Sequence, residues 1–154
     1  MILLKNVKDY VFVAIQLLLL CIYIFPIDII QVDLPVWLKY IGLIFSLISL
    51  LLAVSAVLQL NTNLSPFPTP LSSGRLITNG VFRIARHPIY TGIFGICVGY
   101  GIYSDSLYKF LISVALLLLF YYKSEYEEEL LMFKYPTYSD YKKRTGRFFP
   151  KFFK

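Results

Sequence analysis

The chain has one histidine, two cysteines and one tryptophan in 154 residues, and only 16% of it is charged. A lone histidine with two isolated cysteines makes neither a zinc-ligand set nor a disulfide framework. Metal is therefore excluded on composition. Soluble domains carry roughly 25% charged residues, so this deficit, with a mean hydropathy of +0.68, excludes an ordinary soluble fold. No internal repeat or low-complexity tract is present, and the length suits a single domain over 1–154.

What is abundant is apolar sequence, gathered into runs. No charge falls between Tyr10 and Ile27, between Tyr40 and Gly74, or between Phe110 and Tyr122, and His87 to Ser104 is uncharged when His87 is neutral. A spanning helix needs about 20 apolar residues, or about 17 at the short end. The pattern predicts an all-α, multipass transmembrane protein with about four spans, near 10–30, 37–60, 89–103 and 107–122. Lys5 and Lys8 ahead of an apolar run resemble a signal peptide. The bulky stretch from Cys21 to Pro26 offers no small-x-small cleavage site, so the first helix is expected to be retained.

The net charge of +6 raises the question of nucleic acid, and its distribution answers it. With four spans, one side receives Lys5, Lys8, Arg75, Arg83, Arg86 and the eight basic residues from Lys123 to Lys154. The other side keeps Lys39 and Lys109. Such an asymmetry places both termini in the cytoplasm and turns the cations toward lipid headgroups. Membrane lipids are the expected partners, and nucleic acid is not.

Polar segments break the runs at informative places. Helix 1 is expected to end near Pro26, with Asp28, Asp33 and Pro35 in a short external loop and Trp37 and Tyr40 at the interface opening helix 2. After helix 2 fades at Gln59 and Asn61, prolines 66, 68 and 70 favour an extended path. A long ordered loop in so small a protein is usually functional, the alternative being a flexible linker. Ser104-Asp105-Ser106 joins helices 3 and 4 into an antiparallel hairpin, so Arg86-His87 and the acidic run Glu125–Glu129 must emerge side by side. Helix 4 meets no breaker before Pro136, and Glu127 would stand roughly 7 Å beyond Tyr122. The tail mixes Tyr138, Tyr141, Phe148, Phe149, Phe152 and Phe153 with Lys142, Lys143, Arg144 and Arg147, a pattern suited to the membrane interface.

Arg86-His87-Pro88-Ile89-Tyr90, the glutamates 127–129 and the basic aromatic tail thus converge on one face. Pro88 suits the first position of helix 3, and the free amides of Ile89 and Tyr90 then offer a positive helix end to a carboxylate or phosphate. Each of these residues also has an ordinary role available. Arg86 can anchor a headgroup, His87 can cap helix 3, and the glutamates can form a solvated face. The residues by themselves establish a polar pocket on the cytoplasmic face.

The stretch Gly74-Arg-Leu-Ile-Thr-Asn-Gly-Val-Phe-Arg-Ile-Ala-Arg-His-Pro-Ile-Tyr90 resembles the signature of isoprenylcysteine carboxyl methyltransferases and related membrane methyltransferases, including the phospholipid methyltransferases. Glu127-Glu128-x-x-Leu131, then Tyr138-x-x-Tyr141-Lys-Lys-Arg144 and Pro150, extend the resemblance over roughly residues 65 to 151. It implies S-adenosyl-L-methionine as methyl donor, with donor-binding segments at 74–90 and 123–150. The family's donor positions carry over to Gly74, Arg75, Leu76, Ile77, Phe82, His87, Pro88, Ile89, Tyr90 and Glu127, with Glu128 as the neighbouring alternative. Lys123, one turn earlier, falls where the family places a basic residue for substrate, and Arg86 is a second substrate candidate. Phe82 stands where tyrosine is common and Lys123 where arginine occurs, which gives up bidentate carboxylate binding.

The chemistry suits that resemblance. The helix 3 amides and His87 can take the donor's carboxylate, Glu127 or Glu128 its ammonium or hydroxyls, and Tyr90 and Phe82 its sulfonium or adenine. Methyl transfer requires mainly alignment and a desolvated nucleophile. A carboxylate acceptor, already ionised at pH 7, needs no general base, and a lipophilic carboxylate from the bilayer is the favoured acceptor. A phospholipid amine is the runner-up. A nicotinamide-dependent sterol reductase is more distant, its phosphates fitting poorly beside three glutamates, and a non-catalytic membrane scaffold is the alternative of a different class.

Overall fold

A computed structural model describes residues 5–25 and 31–151. Its elements are α1 (Val7–Ile24), α2 (Val36–Leu60), α3 (Pro88–Tyr103), α4 (Leu107–Lys134) and α5 (Tyr138–Arg144), with short 3-10 turns at Asn61–Asn63 and Gly80–Arg83. Helices α1, α2 and α4 are long and apolar enough to cross a membrane, and α3 is a shorter apolar helix. The protein is an all-α, integral membrane fold. Residues 26–30 and 152–154, which carry the expected end of the first span, Pro26, Asp28, Phe152 and Phe153, lie outside the described residues.

Each helix start has a local cause. Asn6 caps α1, its side chain accepting from the Val7 amide while Asp9 reaches back to the Asn6 amide at 2.6 Å, a reciprocal capping box. Pro88 is the first residue of α3, as expected. The Ser106 hydroxyl caps α4 through the Lys109 amide at 3.3 Å.

Small residues decide the pairing. Helix α3 lies antiparallel against α2, with Gly92, Gly95 and Gly99 facing Ala53, Ser49 and Ser46. A Cβ on Gly99 would sit 2.4 Å from the Gly42 carbonyl oxygen, so only hydrogen lets the backbones come this close. Tyr23 ties α1 to α3 by donating to the Cys97 carbonyl at 2.7 Å, and Tyr108 ties α4 to α1 through the Ile22 carbonyl at 2.9 Å. Leu116 and Phe120 of α4 fill the space between them. The outward faces, including Leu17, Ile44, Ile48, Leu51, Leu58 and Leu118, stay exposed, as lipid-facing positions must.

The two ends of the bundle differ. At one, Asp105 in the α3–α4 turn pairs with Lys39 and accepts from the Leu34 amide at 3.3 Å. The Lys39 hydrogen bond holds the Asp105 carboxyl below its ordinary range. At the other end, α4 runs twelve residues past Tyr122, roughly 18 Å. The tail does not simply lie in the interface. Tyr138 and Tyr141 are buried, and 146–148 runs beside the start of α3, with the Arg86 amide donating to the Gly146 carbonyl at 2.9 Å and the His87 amide to the Arg147 carbonyl at 3.0 Å. The physical reason is a buried carboxylate, Glu128, that collects the tail's cations. Phe149 and Lys143 remain exposed.

Candidate functional site

A cavity of about 350 Å³ opens where the 64–77 loop, the start of α3, α4 and α5 meet. The loop around it is ordered, not a free linker. Asp9 of α1, fully buried, accepts from the Thr69 amide at 3.0 Å and the Thr69 hydroxyl at 2.7 Å. Lys134 donates to the carbonyls of Leu71 and Ser72. The proline-rich segment is thus clamped between α1 and α4.

Twelve of the thirteen residues singled out from the sequence line this cavity: Gly74, Arg75, Leu76, Ile77, Phe82, Arg86, His87, Pro88, Ile89, Tyr90, Lys123 and Glu127. Glu128 does not line it. It is fully buried behind the wall, 2.8 Å from the Arg86 guanidinium, 3.2 Å from His87 Nε2, 3.0 Å from Lys142 and 3.6 Å from Arg147. Burial by itself would raise its pKa, but hydrogen bonds from His87 and Arg86, with Lys142 behind them, hold the carboxyl well below its usual range. Arg86 also donates to the Thr145 carbonyl, so its guanidinium is a tail clasp. Neither headgroup anchoring nor a solvated glutamate face describes these two.

His87 opens α3 as its N-cap residue, without a side-chain capping bond. Its ring instead bridges the acidic pair, with Nδ1 3.7 Å from Glu127 and Nε2 on Glu128. Tyr90 stacks with both His87 and Phe120, with centroids 5.3 and 4.8 Å away and planes within a few degrees of parallel. Its hydroxyl donates to Glu127 Oε2 at 2.8 Å. That bond fixes Glu127, partly exposed, at the cavity wall.

Lys123 is only 1% exposed. Its ammonium donates to the Gln16 side-chain oxygen at 2.6 Å and the Pro66 carbonyl at 2.9 Å, and sits 5.2 Å from the Tyr90 ring centre. Both of those oxygens are neutral. At the opposite end, Tyr135 donates to the Gly74 carbonyl at 2.6 Å and Tyr141 to the Phe82 carbonyl at 2.5 Å. Burial pushes the Tyr138 and Tyr141 hydroxyls well above their ordinary pKa, so both stay protonated.

Several lining residues were not singled out as site residues from the sequence. Gln16 carried a signal, as a polar side chain inside an uncharged spanning run. Pro66 acts through its carbonyl, which no side-chain pattern announces. Tyr138 and Tyr141 were legible as part of a motif, but their burial depends on α5 folding back.

The comparison with known families decides the class. The phospholipid methyltransferase family matches residues 37–138, from the start of α2 to the start of α5. The chain belongs to this family. The matched region supplies most of the cavity, while α1 with Gln16 and Asp9, and the chain beyond Tyr138, lie outside it. The chain is also similar to the nickel-cobalt-cadmium resistance protein NccN of Alcaligenes xylosoxydans xylosoxydans, 32% identical over 80 residues. That match takes in 51% of this chain and 38% of the length of NccN.

Proposed function

We propose that the protein is a methyltransferase that uses S-adenosyl-L-methionine to methylate a lipophilic acceptor that enters from the bilayer, with an acceptor carboxylate favoured. The observation that carries this reading is the pairing, within one cavity, of the carboxylate Glu127 with the buried ammonium Lys123, whose hydrogen-bond partners are neutral oxygens. A cavity of about 350 Å³ falls within the usual range for small-molecule sites, roughly 300–1,000 Å³. Glu127 matches the donor's ammonium, and the free amides opening α3, beside His87, match its carboxylate. When bound, the donor supplies an electrophilic methyl on a positively charged sulfur.

The chain's own residues then have positioning work. Holding a cation in a buried site is costly unless it is paired, so Lys123 is suited to draw an anionic group of the acceptor into the cavity. Tyr90 fixes Glu127, and an acceptor carboxylate drawn to the buried Lys123 would be poorly solvated and more nucleophilic there. No proton needs to move. A phospholipid amine is the second reading, favoured by the family match itself. There Lys123 would take the headgroup phosphate and Glu127 would stand near the amine.

Both termini and the cavity are proposed to face the cytoplasm, where the donor is available. The deciding experiment incubates membranes containing the protein with methyl-labelled donor and separates lipid from protein. Base-labile label means a methyl ester, and base-stable label on a headgroup means N-methylation. Purified protein that fails to bind S-adenosylhomocysteine would remove the donor assignment altogether.

A further inference from the structure

Arg86 and Lys123 both have shielded side chains, and they are held differently. Arg86 has a carboxylate, Glu128, at 2.8 Å. Lys123 has neutral oxygens, Gln16 Oε1 at 2.6 Å and the Pro66 carbonyl at 2.9 Å. Glu127 and Asp9 are the acids whose charge acts on it. Each is held by other donors, Glu127 by the Tyr90 hydroxyl and Asp9 by Thr69 and the Asn6 amide. Among the described residues, no group in contact with the Lys123 ammonium cancels its charge.

Burying a charge without a counter-charge costs stability. Glutamate has the shape of glutamine and would supply that counter-charge from the same position. Gln16 also stands midway along α1, inside an uncharged spanning run, where a polar side chain is itself disfavoured. A tie between α1 and α4 would be served at least as well by a carboxylate. What the neutral amide does differently is leave the ammonium's charge available to something else. Both residues line the cavity, and Gln16 does so from within a spanning helix. An anionic group arriving from the bilayer meets an uncancelled positive charge there. With a carboxylate at position 16 it would meet a completed ion pair and a like charge.

Resting on the acceptor reading above, we propose that Gln16 sets the charge preference of the acceptor site: its neutral amide positions the Lys123 ammonium without neutralising it, so the site takes a lipophilic anion. Gln16 acts through Lys123 and is a positioning residue, and it lies outside the segment shared with the family. The test uses purified protein in neutral detergent, with dodecanoate and dodecyl phosphate as anionic probes and dodecanol as their neutral counterpart. Gln16→Glu keeps the shape and the contact with Lys123, whereas Gln16→Met keeps the length, removes the contact and adds no charge. Wild type should prefer an anion to dodecanol, and the tighter anion distinguishes a carboxylate acceptor from a headgroup phosphate. In Gln16→Glu the affinity for that anion should fall roughly tenfold or more, with dodecanol and S-adenosylhomocysteine binding unchanged and the unfolding temperature not lowered. Gln16→Met should keep the preference for the anion even where its unfolding temperature falls. A structural tie predicts the reverse order, with Gln16→Met impaired in binding and Gln16→Glu unharmed, and that order overturns the proposal. An anion preference that survives in Gln16→Glu, or a lower unfolding temperature in that variant, overturns it too while leaving the role of Lys123 standing. If wild type shows no preference for either anion, the anionic-acceptor reading fails and this inference with it. The S-adenosylhomocysteine titration reports separately on the donor assignment.

Discussion

Glu127 and Glu128 are neighbours in sequence, but one step along a helix turns a side chain by about 100°. Glu127 shares a face with Lys123, one turn away, and looks into the cavity. Glu128 shares a face with Ser124, both fully buried, and looks at the tail. The two should therefore fail differently. Glu127→Gln keeps the shape and the Tyr90 bond but removes the charge, so donor affinity should drop roughly ten- to a hundredfold in a binding titration, with stability little changed. Glu128→Gln leaves Arg86, Lys142 and Arg147 without their common anion. Breaking a buried pair costs about 3–5 kcal/mol, and the loss should appear as a lower unfolding temperature in detergent. Equal loss of donor binding without destabilisation in both variants would refute this division of labour.

Glu128 also sets a pH dependence. Its folded pKa is lowered by His87 and Arg86 against the opposing effect of burial. A lowered carboxylate contributes stability above its unfolded pKa, about 4.3, and loses it as pH falls toward the folded value. With respect to this group, stability should be level from about pH 8 to 5 and should decline below about pH 4. The acid slope of the unfolding temperature should be shallower in Glu128→Gln. Parallel slopes in the two proteins would assign acid sensitivity elsewhere.

At the scale of elements, the α2–α3 contact rests on absent side chains. Gly99 sits against the Gly42 carbonyl and the Ser46 amide, both backbone groups that cannot step aside. Gly99→Val should overpack this contact by about 1–3 kcal/mol or more and reduce the fraction extracted as a single species from membranes. Gly101→Ala, which would bring a Cβ to 3.2 Å from the Phe110 amide nitrogen of α4 and leaves the α2–α3 contact alone, should cost less. Full tolerance of Gly99→Val would mean that α2 and α3 can slide apart. The same contact carries function, because α3 positions His87, Ile89 and Tyr90 at the cavity.

At the scale of the molecule, the charge asymmetry and the bundle geometry agree on which ends lie together. Lys39 and Asp105 meet at one end, while Asp9–Thr69 and Arg86–Glu128 link segments at the other. If the second end is cytoplasmic, an impermeant thiol reagent applied to intact cells should label a cysteine introduced at Asp33 but not one at Ser139. Both positions are exposed in the fold. The reverse pattern would put the cavity on the side that lacks donor.

The sequence by itself determined the helices and twelve of the residues around the cavity, because these are written in local terms. Hydrophobic runs define spans, Pro88 opens α3, the absence of a breaker carries α4 to Lys134, and Arg86-His87-Pro88-Ile89-Tyr90 is contiguous. Tertiary structure decided what those residues do. Which glutamate faces the cavity depends on how α4 is rotated against α3, and that rotation is set by packing at Leu116 and Phe120. Whether the tail lies in the interface or folds over the site depends on Glu128 being buried, since a buried carboxylate must gather cations from wherever the chain can bring them. Gln16 and Lys123 lie 107 residues apart and meet because α1 docks on α4, a contact that no local pattern in either segment specifies.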